Sequence, residues 1–180
     1  QIGRVVQFGT GATDAKLVNN ADWLAELTWI DLLRAVGPHF SINRMLTMDS
    51  VKGRMENGIT FLEFNYMVMQ GYDFWHLAKA ENCTLQVGGN DQWGNITTGT
   101  ELIRRIANAE DREAKAYALT GQLITKADGT KYGKSETGTV WLDPALTSPY
   151  QFYQFFLNAA DADACAATGR VRVVTMLACP

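Results

Sequence analysis

The chain alternates between stretches of helical periodicity and short apolar runs. From about Ala21 to Val36, Trp23, Leu24, Leu27, Ile30 and one of Leu32 or Leu33 recur at helical spacing, and Gly37-Pro38 closes the stretch. A second helix is expected from Asp49 to Glu56, stopped by Asn57-Gly58. The longest periodic stretch is Thr60 to Ala80; it is apolar on nearly every side, which predicts a buried helix. Cys83 to Val87 reads as a short buried strand running into Gly88-Gly89. A helix follows from Asp91 or Gln92 to Ile106, with Arg104 and Arg105 in its last turn, where the helix dipole favours cations. Gln122 to Thr125 and Thr139 to Leu142 read as strands, with Asp128-Gly129 a turn between them. Ser148-Pro-Tyr-Gln151 is a capping box with proline at the first helical position, opening an aromatic helix from Tyr150 to Asn158. Strands separated by helices predict an α/β layered fold.

Composition narrows the class. A chain of 180 residues, 47% of them hydrophobic, can bury one ordinary core, so one domain or a large piece of one is expected. No apolar run is long enough to span a membrane, and Gln1-Ile-Gly-Arg-Val-Val does not have the layout of a signal peptide. The missing initiator methionine points to an excerpt from a longer chain. Cys83, Cys165 and Cys179 lack metal-ligand spacing and read as reduced thiols of a cytosolic protein. A net charge of −3 argues against gripping a polyanion by bulk electrostatics, although a local basic loop remains compatible with it. His39 and His76 stand in no triad or metal pattern and read as structural.

Three constellations carry candidate chemistry. On the long helix, Leu62, Tyr66, Gln70, Asp73 and Leu77 share one face, because steps of three and four return to the same side. A phenol, an amide and a carboxylate on an apolar helix need partners, since a buried unpaired polar group costs about 1–3 kcal/mol. The stripe is either an internally satisfied network or a pocket for a small ligand with an amine at one end and a hydroxyl at the other. The second constellation is "LQVGGNDQWGN", Leu85 to Asn95. A strand ending in paired glycines before a helix is where α/β sheets bind nucleotides, and a carboxylate such as Asp91 can accept both ribose hydroxyls. The alternative is a tight turn with Asp91 capping the helix. The third is "GTKYGKSETG", Gly129 to Gly138. It is not a P-loop, which needs four residues before Gly-Lys-Ser and a helix directly after; here three stand between Gly129 and Gly133, and a β-prone run follows. Lys126, Lys131 and Lys134 among the glycines form either a cationic strap for phosphates or an ordinary solvated hairpin.

Together these segments resemble the bacterial-type tyrosyl-tRNA synthetases, class I aminoacyl-tRNA synthetases. "GGNDQWGNIT" (Gly88 to Thr97) is similar to that family's G-G-S-D-Q-W-G-N-I-T, with Asn90 in place of serine. "ITKADGTKYGKSETG" resembles its form of the K-M-S-K-S loop, and "FLEFNYMVMQGYDF" resembles its tyrosine-binding helix. "NNADW", "HFSINRML" and "TSPYQFYQFF" match as well, so the resemblance runs from about Ala15 to Asp163. It implies a Rossmann-like catalytic domain with a helical connective insertion, over residues 1–163. The insertion, about residues 20–64, would form a homodimer interface with Phe61 a contact. It implies activation of L-tyrosine by ATP, with Mg²⁺, to tyrosyl-adenylate and transfer to tRNA(Tyr), in the cytoplasm, with no permanently bound cofactor and no metal site. By resemblance, Asp73 accepts the substrate's phenolic hydroxyl, and Tyr66 and Gln70 hold its ammonium. Gln92 lies beside the tyrosine carboxylate and the ATP, Gln86 near the pocket, and Gly89 and Asp91 on the adenosine. Lys131 and Lys134, with Ser135 beside them, neutralise the departing pyrophosphate.

The departures shape further expectations. No H-I-G-H motif occurs in the 180 residues; the family carries it upstream, so the chain alone is expected to be inactive. From about Ala164 the sequence leaves the family's pattern, and residues 164–180 read as a divergent tail left by a frameshift, a sequence error or an incomplete gene end. The rival readings are a tryptophanyl-tRNA synthetase-like enzyme, which the Tyr66/Gln70/Asp73 stripe opposes, and a non-catalytic ligand-binding fragment.

Overall fold

A computed structural model of the chain describes residues 1–121, 140–158 and 172–174. They fall into two compact units, Gln1–Asn20 with Leu123–Gly169, and Ala21–Gln122 with Arg170–Pro180.

The larger unit carries the α/β layers that the sequence pattern predicts. Its helices are α1 (Ala21–Leu24), α2 (Trp29–Ala35), α3 (Ile42–Leu46), α4 (Asp49–Met55), α5 (Phe61–Ala80) and α6 (Trp93–Ala109). Strands β1 (Leu85–Gly89) and β2 (Tyr117–Gly121) run parallel in the register Leu85↔Tyr117 to Gly89↔Gly121, and β3 (Arg172–Val174) pairs antiparallel on the far side of β2. A parallel pair needs a crossover, and α6 supplies it, packing on both strands.

Local chemistry explains most boundaries. Thr60 caps α5 by accepting from the Glu63 N–H at 3.2 Å, and Glu63 Oε2 accepts from the Thr60 N–H at 2.9 Å. The Thr60 hydroxyl also donates to Glu63 Oε2, at 2.7 Å, and this bond first and the Thr60 N–H second hold the Glu63 carboxyl below its ordinary pKa. The expected helix from Ala21 to Val36 is two helices. Thr28 starts a new one, its hydroxyl accepting from the Asp31 N–H at 3.1 Å, and a side-chain cap in mid-segment outcompetes continued periodicity. The strand expected at Cys83 to Val87 sits two residues later and takes in both glycines. Helix α6 runs past Ile106 to Ala109, so Arg104 and Arg105 are not in its last turn; both grip Glu101 instead.

The core lies between α2, α5 and α6. Leu32, Val36, Tyr72, Leu102 and Ile106 form one buried cluster, with Trp23, Leu24 and Trp75 among the side chains packed against it. Met45, Val51 and Met67 form a second, under α3 and α4. The buried threonines of α6 return their hydroxyls to the helix: Thr97 donates to the Trp93 carbonyl at 2.8 Å, and Thr98 to that of Gly94 at 2.7 Å. Helix α5 is not buried all round as its composition predicts. Met67, Gly71, Tyr72 and Phe74 are buried, while its first turns leave Phe61 72% and Leu62 64% exposed.

In the smaller unit, Phe8 bridges to Ala15, and α7 (Pro149–Leu157) opens on the expected capping box. Ser148 accepts from the Gln151 N–H at 3.2 Å, and Gln151 Oε1 accepts from the Ser148 N–H at 3.1 Å. Residues 140–142, expected to end a strand, are not in one; the Trp141 N–H donates to the Thr147 hydroxyl at 2.9 Å, a turn-like contact that replaces a ladder. The expected strand at Gln122 to Thr125 and the turn at Asp128-Gly129 lie outside the described residues.

Candidate functional site

Part of the candidate set meets where the middle of α5 faces the start of α6, just beyond the end of β1. Strand β1 ends in Gly88 and Gly89, and a 3₁₀ turn, Asn90–Gln92, leads at once into α6. The turn folds back tightly: a Cβ at Gly88 would lie 3.0 Å from Ile96 Cδ1 and 3.2 Å from Gln92 Cβ. A side chain there would push Gln92 and the first turn of α6 off the strand. Asp91 sits in this turn and does not cap α6, whose N-cap is Gln92 without a side-chain cap bond.

One asparagine wires the two elements together. Asn95 Nδ2 donates to Gln70 Oε1 at 3.0 Å and reaches Gln92 Oε1 at 3.3 Å. With both amide oxygens turned to Asn95, the Nε2 groups of Gln70 and Gln92 point elsewhere as donors, and each oxygen keeps a second lone pair. Tyr66, Asp91, Gln92 and Asn95 line an open cleft of about 270 Å³ together with Arg54 and Glu63. Tyr66 is exposed at its rim. Arg54 and Glu63 are only 3.9 Å apart, a solvated pair worth little to the fold.

Asp73 and Gln70 are on the same helix but do not line this cleft. Asp73 Oδ1 accepts the Trp23 Nε1–H at 2.7 Å, in a partly buried setting. Beside it, burial first and the Asp73 charge second push the Tyr72 phenol above its ordinary pKa, so Tyr72 keeps its proton through the neutral range. Gln86 sits on β1 opposite Ala118, with its Oε1 buried and without a hydrogen-bond partner among the described residues. Gly89 pairs with Gly121 at the sheet's end. The structure thus gathers Tyr66, Asp91 and Gln92 at the cleft, ties Gln70 to Gln92, and sets Asp73 and Gln86 apart. Lys131, Lys134 and Ser135 lie outside the described residues.

Two contributors escaped the sequence reading. Asn95 had a local signal, since it stands three residues after Gln92 at the head of a helix, where side chains share a face. Trp23 had none, because its partner is fifty residues away. Of the histidines, His76 stacks on Trp23, and the His39 carbonyl accepts from Arg105 at 3.2 Å. Cys83 is a free thiol, and no group of three metal-ligating side chains gathers among the described residues. No helix among them is long and apolar enough to cross a membrane.

The chain is similar to known proteins over most of its length. The family model "tRNA synthetases class I (W and Y)" matches residues 1–176. The tyrosine–tRNA ligase of Cytophaga hutchinsonii is 54% identical over 177 residues, covering 98% of this chain and 40% of the relative. That of Geobacillus stearothermophilus is 53% identical over 163 residues, 91% of this chain and 38% of the relative. Among solved structures, a C-terminally truncated mitochondrial tyrosyl-tRNA synthetase from Coccidioides posadasii superposes with a TM-score of 0.72 at 34% identity, over 86% of this chain and 44% of that one. Its Aspergillus nidulans counterpart gives 0.67 at 32% identity, over 84% and 44%. The chain therefore spans about 40% of the length of the curated relatives it matches.

Proposed function

As the chain belongs to the class I tRNA synthetases of the tryptophan and tyrosine kind, we propose that it is part of the catalytic domain of a tyrosine–tRNA ligase. In the full-length protein the tyrosine carboxylate attacks the α-phosphate of ATP and pyrophosphate leaves; the terminal ribose hydroxyl of tRNA(Tyr) then takes the tyrosyl group from the adenylate, and AMP leaves. Magnesium enters with ATP as part of that substrate.

The observation that carries this reading is the Asn95 bridge between Gln70 and Gln92 beside a cleft rimmed by Tyr66 and Asp91. Each group is oriented for one end of an amino acid or a nucleoside. Gln70 Oε1 retains a lone pair that can accept from the substrate ammonium, with the Tyr66 oxygen as a second acceptor. Gln92 presents its Nε2 donors to the tyrosine carboxylate. Asp91 stands two residues after Gly89, at the end of β1, where a ribose can approach and give both hydroxyls to one carboxylate. Asp73, its Oδ1 tied to Trp23, offers carboxylate lone pairs to the phenolic hydroxyl at the far end of the substrate. Gln86, with a buried acceptor oxygen and no partner for it among the described residues, is a further polar contact of the same pocket. Lys131 and Lys134, in a loop that also brings Ser135, meet the charge that grows on pyrophosphate, a role that suits a strap closing over ATP after it binds.

We also assign the helical stretch of about residues 20–64 to a connective insertion with a dimer face. Trp29 and Phe61 meet edge-to-face at 5.9 Å while both stay exposed, and Ile30, Leu33 and Leu62 around them are exposed too. An apolar surface of this kind is what a second copy covers.

The test is Asp73→Ala in the full-length protein, read by amino-acid-dependent exchange of pyrophosphate into ATP. A site built to hydrogen-bond a hydroxyl leaves its own polar groups unpaired when the hydroxyl is missing, so it rejects phenylalanine strongly. The substitution is expected to erode that discrimination or abolish activation. Unchanged selectivity removes Asp73 from the site, and exchange driven by tryptophan in place of tyrosine removes the substrate assignment.

A further inference from the structure

The Asp73 carboxylate is held by a side chain that is itself held by a ring. Trp23 donates its indole N–H to Asp73 Oδ1 at 2.7 Å. His76, three residues beyond Asp73 on α5, lies against the indole, with centroids 4.4 Å apart and planes 16° from parallel. His76 also faces Tyr72, at 6.4 Å and 24°. Helix α1, which carries Trp23, is four residues long. A single turn is a weak anchor, because isolated short helices are marginal. Packing against the neighbouring Leu32 and Tyr72 cluster keeps the indole partly buried, but apolar burial is non-directional and does not set the angle of the ring. A hydrogen bond does depend on angle and weakens steeply when the donor swings away. The His76 ring is a flat surface against that indole.

We propose that His76 is a positioning residue for amino-acid selection. It holds the Trp23 indole flat, the indole N–H fixes one oxygen of Asp73, and the carboxylate is thereby kept in the orientation in which it meets the substrate's hydroxyl. The inference rests on the reading of Asp73 as the hydroxyl's partner. His76 touches no substrate atom in this scheme; it acts through Trp23.

The experiment compares His76→Leu, which keeps bulk and removes the flat ring, with His76→Phe, which keeps a ring. Both are made in the full-length protein, with Asp73→Ala alongside. The readout is kcat/KM for tyrosine divided by kcat/KM for phenylalanine in pyrophosphate exchange, with melting temperatures recorded in parallel. A stacked aromatic pair is worth enough to change this ratio by about three- to tenfold. His76→Leu is expected to lower the ratio by that factor, mainly by raising KM for tyrosine, while His76→Phe stays near the unsubstituted protein. A merely structural histidine would lower the melting temperature and slow both amino acids alike, leaving the ratio unchanged. That result, or an equal fall in both variants, overturns the proposal. If His76→Leu does not fold, His76→Met, a flexible side chain that cores tolerate, takes its place in the comparison. An unchanged ratio in Asp73→Ala defeats the underlying reading of the site, whereas a collapse there with no change in His76→Leu defeats only the role of His76.

Discussion

Helices α5 and α6 cross at a pair of glycines, and the two are not equivalent. A Cβ built on Gly99 would lie 2.9 Å from Phe74 Cδ1 and 3.1 Å from Phe74 Cβ. Carbon atoms in good contact are about 3.5–4.0 Å apart, so the gap is short by about half an ångström. Turning the Phe74 ring relieves the first contact but not the second, because the Cβ is fixed to the backbone, and Phe74 is only 1% exposed. The helices must therefore part, at the cost of about 1–3 kcal/mol typical of overpacking. Alanine's better helix propensity returns about 1 kcal/mol. Gly99→Ala should thus destabilise by about 1 kcal/mol, up to about 2. At Gly71 the nearest atom to a new Cβ is Phe40 Cζ at 3.4 Å, then the Gly99 backbone at 3.7 Å, which is ordinary contact. Gly71→Ala keeps most of the propensity gain and should be neutral or stabilising by up to about 1 kcal/mol. Urea unfolding of both variants in the full-length protein, followed by tryptophan fluorescence, measures the difference at unchanged slope. If Gly99→Ala proves as stable as Gly71→Ala, the crossing is looser than these distances, and the reasoning is wrong.

Two further outcomes can be measured. Glu101 accepts from Arg104 at 2.8 Å, Arg105 at 2.7 Å and Arg44 at 3.2 Å, and these arginines, Arg104 first, hold its carboxyl at about 2 against an ordinary 4.5. A depressed carboxyl stabilises the fold above its unfolded value and loses that contribution as pH falls from about 4.5 towards 2; solvent screening limits it to about 1–2 kcal/mol. Urea midpoints of the unsubstituted protein should therefore fall further between pH 5 and pH 3 than those of Glu101→Gln, and parallel curves would contradict the network. In the full-length protein, Lys134→Ala should slow adenylate formation in single turnovers by about 10²–10³ while leaving equilibrium tyrosine binding nearly intact, as expected for a cation aimed at charge that develops in the transition state. Equal losses in both would refute the loop's role, and Lys131→Ala is expected to behave alike.

What could be read from the sequence was what is decided within a few residues. The capping box at Ser148/Gln151 places the start of α7 because it is closed by hydrogen bonds three residues apart, and the apolar period places α5, whose own box at Thr60/Glu63 the structure adds. The stripe of Tyr66, Gln70 and Asp73 follows from helical geometry alone. The break at Thr28 was also written locally, as a threonine three residues before Asp31, but the apolar period running through it hid the signal. Strand β2 was not legible: Tyr117–Gly121 is a strand because β1 lies beside it in parallel, burying Ala118 and Thr120, and that partnership spans the whole of α6. Arg104 and Arg105 show the same limit from the other side, since a general preference for helix ends yields to one carboxylate four residues or fewer away.

The site divides along this line. Residue types pose the choice between an internal network and an amphipathic ligand, yet their wiring depends on partners that composition does not single out. An amide has two donors and an acceptor, and Gln70 could have turned its oxygen to many groups; only the fold brings Asn95 to it, from twenty-five residues away. A carboxylate on an apolar helix demands a donor without naming it, and the indole that answers Asp73 comes from a one-turn helix fifty residues earlier. The exchange of Asn95 for a side chain without an amide would be felt at both Gln70 and Gln92, because one Nδ2 group orients the two of them.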